Sequence, residues 1–187
     1  MTTATQLRSK LTVYDERRPE EPLVATTDDA EIARLLGEVG VRFERWTAEQ
    51  ELAADADSAA VLAAYAGSVR RVQDGGGYGT VDVLRLPKGT PNTAPMREKF
   101  LSEHEHTEDE VRFFVEGSGA FYLHLGGQVF QAVCVRGDLI SVPARTPHWF
   151  DMGPDPEFTA IRWFNNEAGW VPQYSGSDIA TRFPKYE

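Results

Sequence analysis

Histidines and acids are concentrated in the stretch EHEHTEDE, residues 103–110, directly before the apolar run VRFFV. His104 and His106 are two residues apart, so on a strand both imidazoles point to the same face and could bind one metal ion. Glu110 has the same parity, but four extended residues span about 13 Å, whereas ligands of one ion lie about 3 Å apart. The chain must therefore bend after His106 if the three groups bind one metal. A solvated acidic turn explains these residues equally well.

The chain has four histidines, and the remaining two lie in different sequence settings. His124 has the opposite parity to Leu123 and Leu125, which predicts a surface position rather than a ligand. His148 follows a proline-punctuated turn and precedes Trp149 and Phe150. By itself, His148 is equally consistent with a core or a surface histidine.

The elements that must position these residues change in character near Gly75. Before it, Thr27 and Asp28 can cap a helix that stops at Gly40, and a second helix is predicted over residues 57–72. After it come short runs rich in aromatic and β-branched residues, which are typical of strands. These runs are YGTVDVLRL, VRFFVEG, AFYLHL, QVFQAVCV, DLISVP and FTAIRWF. This order predicts a mainly β fold, an antiparallel sandwich or small barrel with helices packed outside it.

The composition narrows the possible partners and the chemistry. The chain has 187 residues and a net charge of −10, with Lys and Arg scattered along it, so nucleic acid and membrane surfaces are disfavoured as partners. It has no signal-peptide pattern or spanning segment, which predicts a cytoplasmic protein. Cys134 cannot form an internal disulfide, and its apolar neighbours predict a small buried residue rather than a nucleophile.

Two widely separated motifs together resemble the two-part metal motif of the cupin superfamily, over roughly residues 76–170. The first is HEHTEDE followed by six residues and Gly117, and the second is GDLISVP with the histidine that follows it. Three positions depart from the usual pattern: Glu98 and Arg145 replace glycines, and Met152 replaces a frequent asparagine. The resemblance implies that four ligands converge inside an antiparallel β-barrel and bind one metal ion: His104, His106, Glu110 and His148.

A wider set of segments is similar to the acireductone dioxygenase family, cupin enzymes of methionine salvage. These are PMREKFLSEHEHTEDEVRFFVEGSGAFYLHL, GDLISVPARTPHWFDMG and AIRWFNNEAGWVP. The resemblance covers most of the chain and implies a single domain over residues 1–187. In that domain residues 1–75 form strand and helical elements that pack on the barrel, 76–170 form its core with the metal site, and 171–187 form a C-terminal tail.

The activity that this resemblance implies is cleavage of an acireductone, 1,2-dihydroxy-3-keto-5-methylthiopentene, by O2. In the family the Fe(II) form gives formate and 4-methylthio-2-oxobutanoate, and the Ni(II) form gives formate, carbon monoxide and 3-methylthiopropanoate. Three imidazoles and one carboxylate suit either metal, with Mn(II) or Co(II) as substitutes, and leave two octahedral positions open. Closed structural zinc sites more often contain several cysteines. One Fe(II) or Ni(II) per monomer is therefore expected, and the chain is expected to act as a monomer.

Arg112 shares the parity of Glu110, so a regular strand points its guanidinium into the cavity, where it needs an anion. The resemblance implies that Arg112 helps to form or hold the substrate dianion. The alternative is a simple ion pair with Asp109 or Glu116.

Further site residues rest on the resemblance alone. It implies a pocket formed with Arg162, Phe100, Phe150 and Trp170, although periodicity cannot orient Arg162 and the three aromatic residues could equally be ordinary core. It also associates Glu103 with metal incorporation and Asp109 with relaying conformational change, and both could equally be solvated turn acids.

Two other functions remain open from the residues. A different metal cupin enzyme, such as a quercetinase-like dioxygenase or an isomerase, needs the four ligands but not Arg112 with Phe100 and Trp170. A non-catalytic cupin that binds a small molecule or stores metal predicts binding without turnover.

Overall fold

The computed structural model describes residues 7–187, and these residues form eleven strands, four α-helices and two short 3₁₀ helices. The strands are β1 Lys10–Asp15, β2 Pro22–Thr26, β3 Arg42–Arg45, β4 Thr80–Leu86, β5 His104–Glu105, β6 Glu110–Leu125, β7 Gln128–Val135, β8 Asp138–Val142, β9 His148–Asp151, β10 Phe158–Phe164 and β11 Gln173–Tyr174. The helices are α1 Asp29–Glu38, α2 Ser58–Ala64, α3 Ala66–Gly76 and α4 Ala94–Phe100, with 3₁₀ turns at Glu167–Trp170 and Ile179–Thr181. Every helix within residues 7–187 is too short or too polar to cross a membrane.

Two antiparallel sheets make up the body of the protein, and both contain β6. One sheet has the strand order β11-β5-β9-β6-β7-β1-β2, and the other has the order β4-β10-β6-β8-β3. The helices lie outside these sheets and are few. The predicted mainly β, antiparallel fold is therefore confirmed.

The long strand β6 differs from the two strands predicted for VRFFVEG and AFYLHL. Its first half pairs with β8 and β10, and its second half pairs with β7 and β9. Gly117 between the halves has φ 63°, and a Cβ there would lie 1.7 Å from the Glu157 carbonyl oxygen. The glycine thus turns the strand from one sheet into the other without ending it, so the prediction of two strands was wrong.

The first predicted helix is confirmed and the second is broken. Asp28 caps α1 and accepts a hydrogen bond from the Glu31 amide at 2.8 Å. The run predicted as one helix forms α2 and α3, which are separated at Tyr65 (φ −109°, ψ 26°). The Tyr65 ring packs edge-on against Phe113 at 5.8 Å, and its hydroxyl donates to the Gln50 carbonyl. These tertiary contacts hold the residue out of the helical conformation.

Strands from the N-terminal part extend both sheets. β1 pairs with β7 in one sheet, and β3 pairs with β8 in the other. The sequence did not locate these strands individually because they are short, and because KLTVYD and RFER mix charged with apolar residues. The described residues before Gly75 therefore contribute strands to both sheets as well as helices that pack against them.

Alternating residues of β6 separate the outside of the barrel from its interior. Val111 and Phe113 pack with α2 and α3 in an outer cluster, whereas Phe114 belongs to the inner cluster. Arg112 has the parity of Phe114 and lines an internal cavity. Cys134 is fully buried in the inner cluster as predicted, and burial raises the pKa of its thiol well above the usual value.

Candidate metal centre

Three histidines meet inside the protein, two on neighbouring strands and the third, His106, directly after β5. His104 on β5 is the direct register partner of His148 on β9, and with His106 they place one ligand nitrogen each within 4.8 Å of one another. All three side chains are buried. This cluster joins the two halves of the predicted motif across a strand pair.

Glu110 joins the histidines because the chain bends as the sequence required. β5 ends at Glu105, and the bend at residues 107 and 108 separates it from β6, which begins at Glu110. The Oε2 atom of Glu110 lies 3.4 Å from His106 Nε2 and 3.5 Å from His148 Nε2. These separations match adjacent ligands around one ion, which lie about 3 Å apart for bonds near 2.1 Å.

Backbone carbonyls orient two of the imidazoles. His104 Nδ1 donates to the Ser102 carbonyl and His148 Nδ1 donates to the Thr146 carbonyl, each at 2.8 Å. Since a carbonyl oxygen only accepts, both Nδ1 atoms carry a proton, and Nε2 is left as the atom of each ring that can bind a metal. This is the usual arrangement of metal-binding histidines.

The charge states also suit a divalent cation. Burial lowers the pKa of His104 to about 4, so the imidazole is neutral at pH 7. Burial alone would raise the pKa of Glu110, but Arg112 and the imidazoles of His106 and His148 hold it well below its usual value. Three imidazole nitrogens and one carboxylate oxygen form a donor set that fits Fe(II), Ni(II), Mn(II) or Co(II).

Arg112 lies beside this donor set and pairs with Glu110, not with the acids Asp109 or Glu116 considered from the sequence. Its Nη2 donates to Glu110 Oε1 at 2.6 Å, and both side chains are almost fully buried. The guanidinium carbon lies over the rings of Phe121 and Phe150 at 4.6 and 4.5 Å. Within residues 7–187 the Nε and Nη1 atoms have no hydrogen-bond partner, so the group retains unused donors next to the cavity.

A cavity of about 230 Å³ opens onto the donor set. Its lining combines apolar residues, mostly phenylalanines, with an equal number of polar or charged residues: Lys99, Phe100, His104, His106, Glu110, Arg112, Phe121, His148, Phe150, Arg162, Phe164, Trp170, Pro172 and Tyr174. A small concave site with apolar walls and convergent polar groups is the usual form of a small-molecule site.

Four residues expected from the resemblance line this cavity: Phe100, Phe150, Trp170 and Arg162. The structure also orients Arg162, which the sequence left open. Arg162 and Ala160 alternate with Ile161, which lies in the outer cluster, and Arg162 Nε donates to Asp82 Oδ1 at 2.9 Å. Asp82, on the neighbouring strand β4, thus balances the charge of Arg162.

Two predicted acids lie outside the cavity lining. Asp109 accepts a hydrogen bond from the Ala144 amide at 2.8 Å, which ties the bend after His106 to the segment before β9. Glu103 is buried and accepts from Ser175 Oγ at 2.7 Å. Both residues support the ligand-bearing segments from outside.

His124 is not the free surface histidine that its parity suggested. Its Nδ1 lies 2.9 Å from a Glu103 carboxylate oxygen and its Nε2 lies 2.8 Å from a Glu16 carboxylate oxygen, and the side chain is only 24% exposed. Strand parity correctly predicted that His124 lies outside the cavity. It could not predict the contacts with Glu103 and Glu16, which come from distant segments of the chain.

The sequence did not single out five of the cavity residues: Lys99, Phe121, Phe164, Pro172 and Tyr174. Phe164 could have been found, because it shares the parity of Arg162 on FTAIRWF. Pro172 and Tyr174 follow an irregular segment, where periodicity carries no signal.

The chain matches known proteins over almost its whole length. The model of the ARD/ARD' family matches residues 10–172. An acireductone dioxygenase of Parvibaculum lavamentivorans is 58% identical over 95% of this chain and 96% of its own length. One of Pseudomonas aeruginosa is 55% identical over 96% of this chain and 99% of its own length.

A solved structure agrees with these relatives. Acireductone dioxygenase from Bacillus anthracis, which has a cadmium ion in its active center, superposes with a TM-score of 0.77 and 32% sequence identity. The match covers 89% of this chain and 98% of the other. By sequence over most of its length and by fold, the chain belongs to the ARD/ARD' family.

Proposed function

We propose that this protein is a metal-dependent acireductone dioxygenase that cleaves 1,2-dihydroxy-3-keto-5-methylthiopentene with O2. The observation that carries the proposal is the buried set of three imidazoles and Glu110 beside Arg112, at one small aromatic cavity. Relatives that are 55–58% identical over nearly their full length carry the same activity in their names. Cadmium in the active center of the Bacillus anthracis structure supports a metal site in the same fold.

The four proposed metal ligands are His104, His106, Glu110 and His148. A divalent ion bound there would supply Lewis acidity and open coordination positions for a chelating substrate. The oriented imidazoles of His104 and His148 and the ionised carboxylate of Glu110 provide donors for such an ion.

Arg112 is proposed to stabilise the negative charge of the deprotonated substrate. Its unused Nε and Nη1 donors border the cavity, and burial strengthens their interaction with an anion. Burial lowers the pKa of Arg112 although the Glu110 carboxylate opposes the shift, and an arginine side chain remains charged in proteins. Phe100, Phe150 and Trp170 form apolar walls that limit the access of water to the electron-rich substrate.

The proposed metal is one Fe(II) or Ni(II) per monomer, with Mn(II) or Co(II) as possible substitutes. The donor set accepts all of these ions, so geometry alone does not select one. Following the family, the iron form should yield formate and 4-methylthio-2-oxobutanoate. The nickel form should yield formate, carbon monoxide and 3-methylthiopropanoate.

The test begins with chelator-treated protein that is reloaded anaerobically with Fe(II) or Ni(II) and checked for metal content. Acireductone and O2 are then added, and the products are measured by mass spectrometry and carbon monoxide detection. We expect no turnover without metal and different products from the two metals. Identical products would contradict the dual activity, and substrate binding without turnover would contradict the enzymatic proposal.

We also propose that the protein acts as a monomer in the cytoplasm on a small molecule and O2. All four proposed ligands and the cavity lining come from one chain, so the site does not need a second subunit. Light scattering during size-exclusion chromatography tests this, and a stable dimer with full activity would contradict it.

A further inference from the structure

The turn between β8 and β9, residues 143–147, makes three hydrogen bonds to residues 105–109, the segment that contains His106. The Ala144 amide donates to Asp109 Oδ1, and the Arg145 amide donates to the His106 carbonyl, both at 2.8 Å. The third contact is made by a side chain: Arg145 Nη1 donates to Glu105 Oε1 at 2.9 Å. The turn therefore connects the strand that bears His148 with the segment that bears the other ligands.

Arg145 adopts a backbone conformation that favours glycine. Its φ is 62°, and the left-handed region costs a residue with a Cβ about 1 kcal/mol. Cupin motifs commonly have glycine at the matching position, which would avoid this cost. The backbone conformation therefore does not explain why arginine occupies position 145. The contacts of its side chain provide an explanation.

The same Nη1 atom also contacts β11, a segment whose neighbouring residues line the cavity. It donates to Gln173 Oε1 at 2.9 Å. Gln173 lies on β11 between Pro172 and Tyr174, which both line the cavity. β11 is two residues long and pairs only with β5 among the described strands, so it has little stability of its own.

We propose that Arg145 is a positioning residue that ties the cavity wall at residues 172–174 to the β5 ligand strand and thereby sets substrate affinity. The inference rests on the proposed function. The Arg145 side chain touches neither the metal-binding atoms nor the cavity, and it acts through Glu105 and Gln173. Its contact with His106 is made by the backbone amide alone. Its side chain is 60% exposed, so its ion pair contributes little to global stability and its effect should be local.

The variant Arg145→Gly distinguishes a positioning role of Arg145 from a purely structural one. The variant loses the side-chain contacts and also the left-handed strain, so its thermal midpoint should equal or exceed that of the unsubstituted protein. We expect KM to rise about threefold to fivefold, as for the loss of one or two hydrogen bonds, while kcat and metal content stay the same. Arg145→Lys, which retains the charge without the planar fork, should recover part of the loss.

A double-substitution cycle tests the path through Gln173. Gln173→Ala should raise KM as Arg145→Gly does, and the double variant should show no further increase, because either substitution alone breaks the link from Glu105 through Arg145 to Gln173. Arg34→Ala, which removes an exposed ion pair on α1, is the matched control and should leave KM unchanged. An unchanged KM in Arg145→Gly, or additive effects in the double variant, would overturn the proposal.

Hydrogen exchange distinguishes failure of this proposal from failure of the proposed function. The Ser175 amide donates to the Glu103 carbonyl beside β11, and its exchange can be measured without substrate. Arg145→Gly should speed exchange across residues 173–175, and Arg34→Ala should not. Unchanged exchange would refute the tie itself, whatever reaction the cavity performs.

Discussion

At the residue scale, Arg112 and Glu110 share one ion pair while each has a further role in the proposed reaction. The pair is nearly fully buried, so removal of one member leaves an uncompensated charge unless another ion replaces it. Metal bound at Glu110 would provide that compensation. Substitutions of Arg112 should therefore be compared in metal-loaded protein.

We expect Arg112→Met to lower kcat about 10²- to 10³-fold, because preorganised charge typically contributes this much to stabilising an anionic transition state. Arg112→Lys should recover part of the activity, since it keeps the charge without the planar fork. Single-turnover consumption of acireductone by fully metallated variants measures the effect. Wild-type rates in Arg112→Met would contradict the catalytic role, and the ion pair with Glu110 would then be the only role of Arg112.

Metal content should fall when a histidine of the proposed site is removed, but not when a histidine outside the site is removed. His148→Ala and His104→Ala should each lose most of the bound metal, because loss of a ligand weakens binding strongly. His124→Ala removes a histidine outside the cavity lining and should retain the metal. Elemental analysis after dialysis gives the comparison, and equal metal in His148→Ala and the unsubstituted protein would remove His148 from the proposed site.

At the element scale, β6 determines how the two sheets share one interior. It carries Glu110 and Arg112 in its first half, while its second half pairs with the strand that bears His148. The change of sheet occurs at Gly117, where the Glu157 backbone leaves no room for a side chain. The geometry of the candidate site therefore depends on this one glycine.

Gly117→Ala should lower the free energy of unfolding by about 3 kcal/mol or more, because it adds a steric clash to the cost of a left-handed residue. Gly126→Ala is the matched control. Gly126 has a similar φ of 59° but open space around its Cβ position, so it should cost only about 1 kcal/mol. Urea unfolding of both variants measures the difference, and equal losses would show that the close approach to Glu157 is unimportant.

Periodicity predicted features that depend on local geometry and missed those set by distant contacts. The parity of Glu110 and Arg112 and the need for a bend after His106 followed from strand spacing. The break at Tyr65 depends on a ring contact with the sheet, and the partners of His124 come from segments far away in sequence. The continuity of β6 was missed because glycine signals a strand end as readily as a bend.

At the scale of the whole molecule, metal binding should stabilise the fold, because a site assembled from β5, β6 and β9 exists only in the folded chain. A free metal concentration of 100 times Kd adds about 2.7 kcal/mol, which raises the thermal midpoint by roughly 5–10 °C for a chain of this size. Calorimetry with and without chelator measures the shift. His148→Ala should show little shift, and an equal shift in that variant would mean that the stabilising ion binds elsewhere.

The strand pairing also determines when during folding the centre can be completed. β6 and β7 are joined by Gly126 and Gly127, so their pairing closes a short loop at small entropic cost. The pairing of His104 with His148 joins strands that are far apart in sequence, and such long-range pairing forms more slowly. In a nascent or partly folded chain the proposed metal ligands are thus still apart, and the complete metal site has not formed. We therefore expect the metal ion to bind after these strands have paired, and not to direct their pairing.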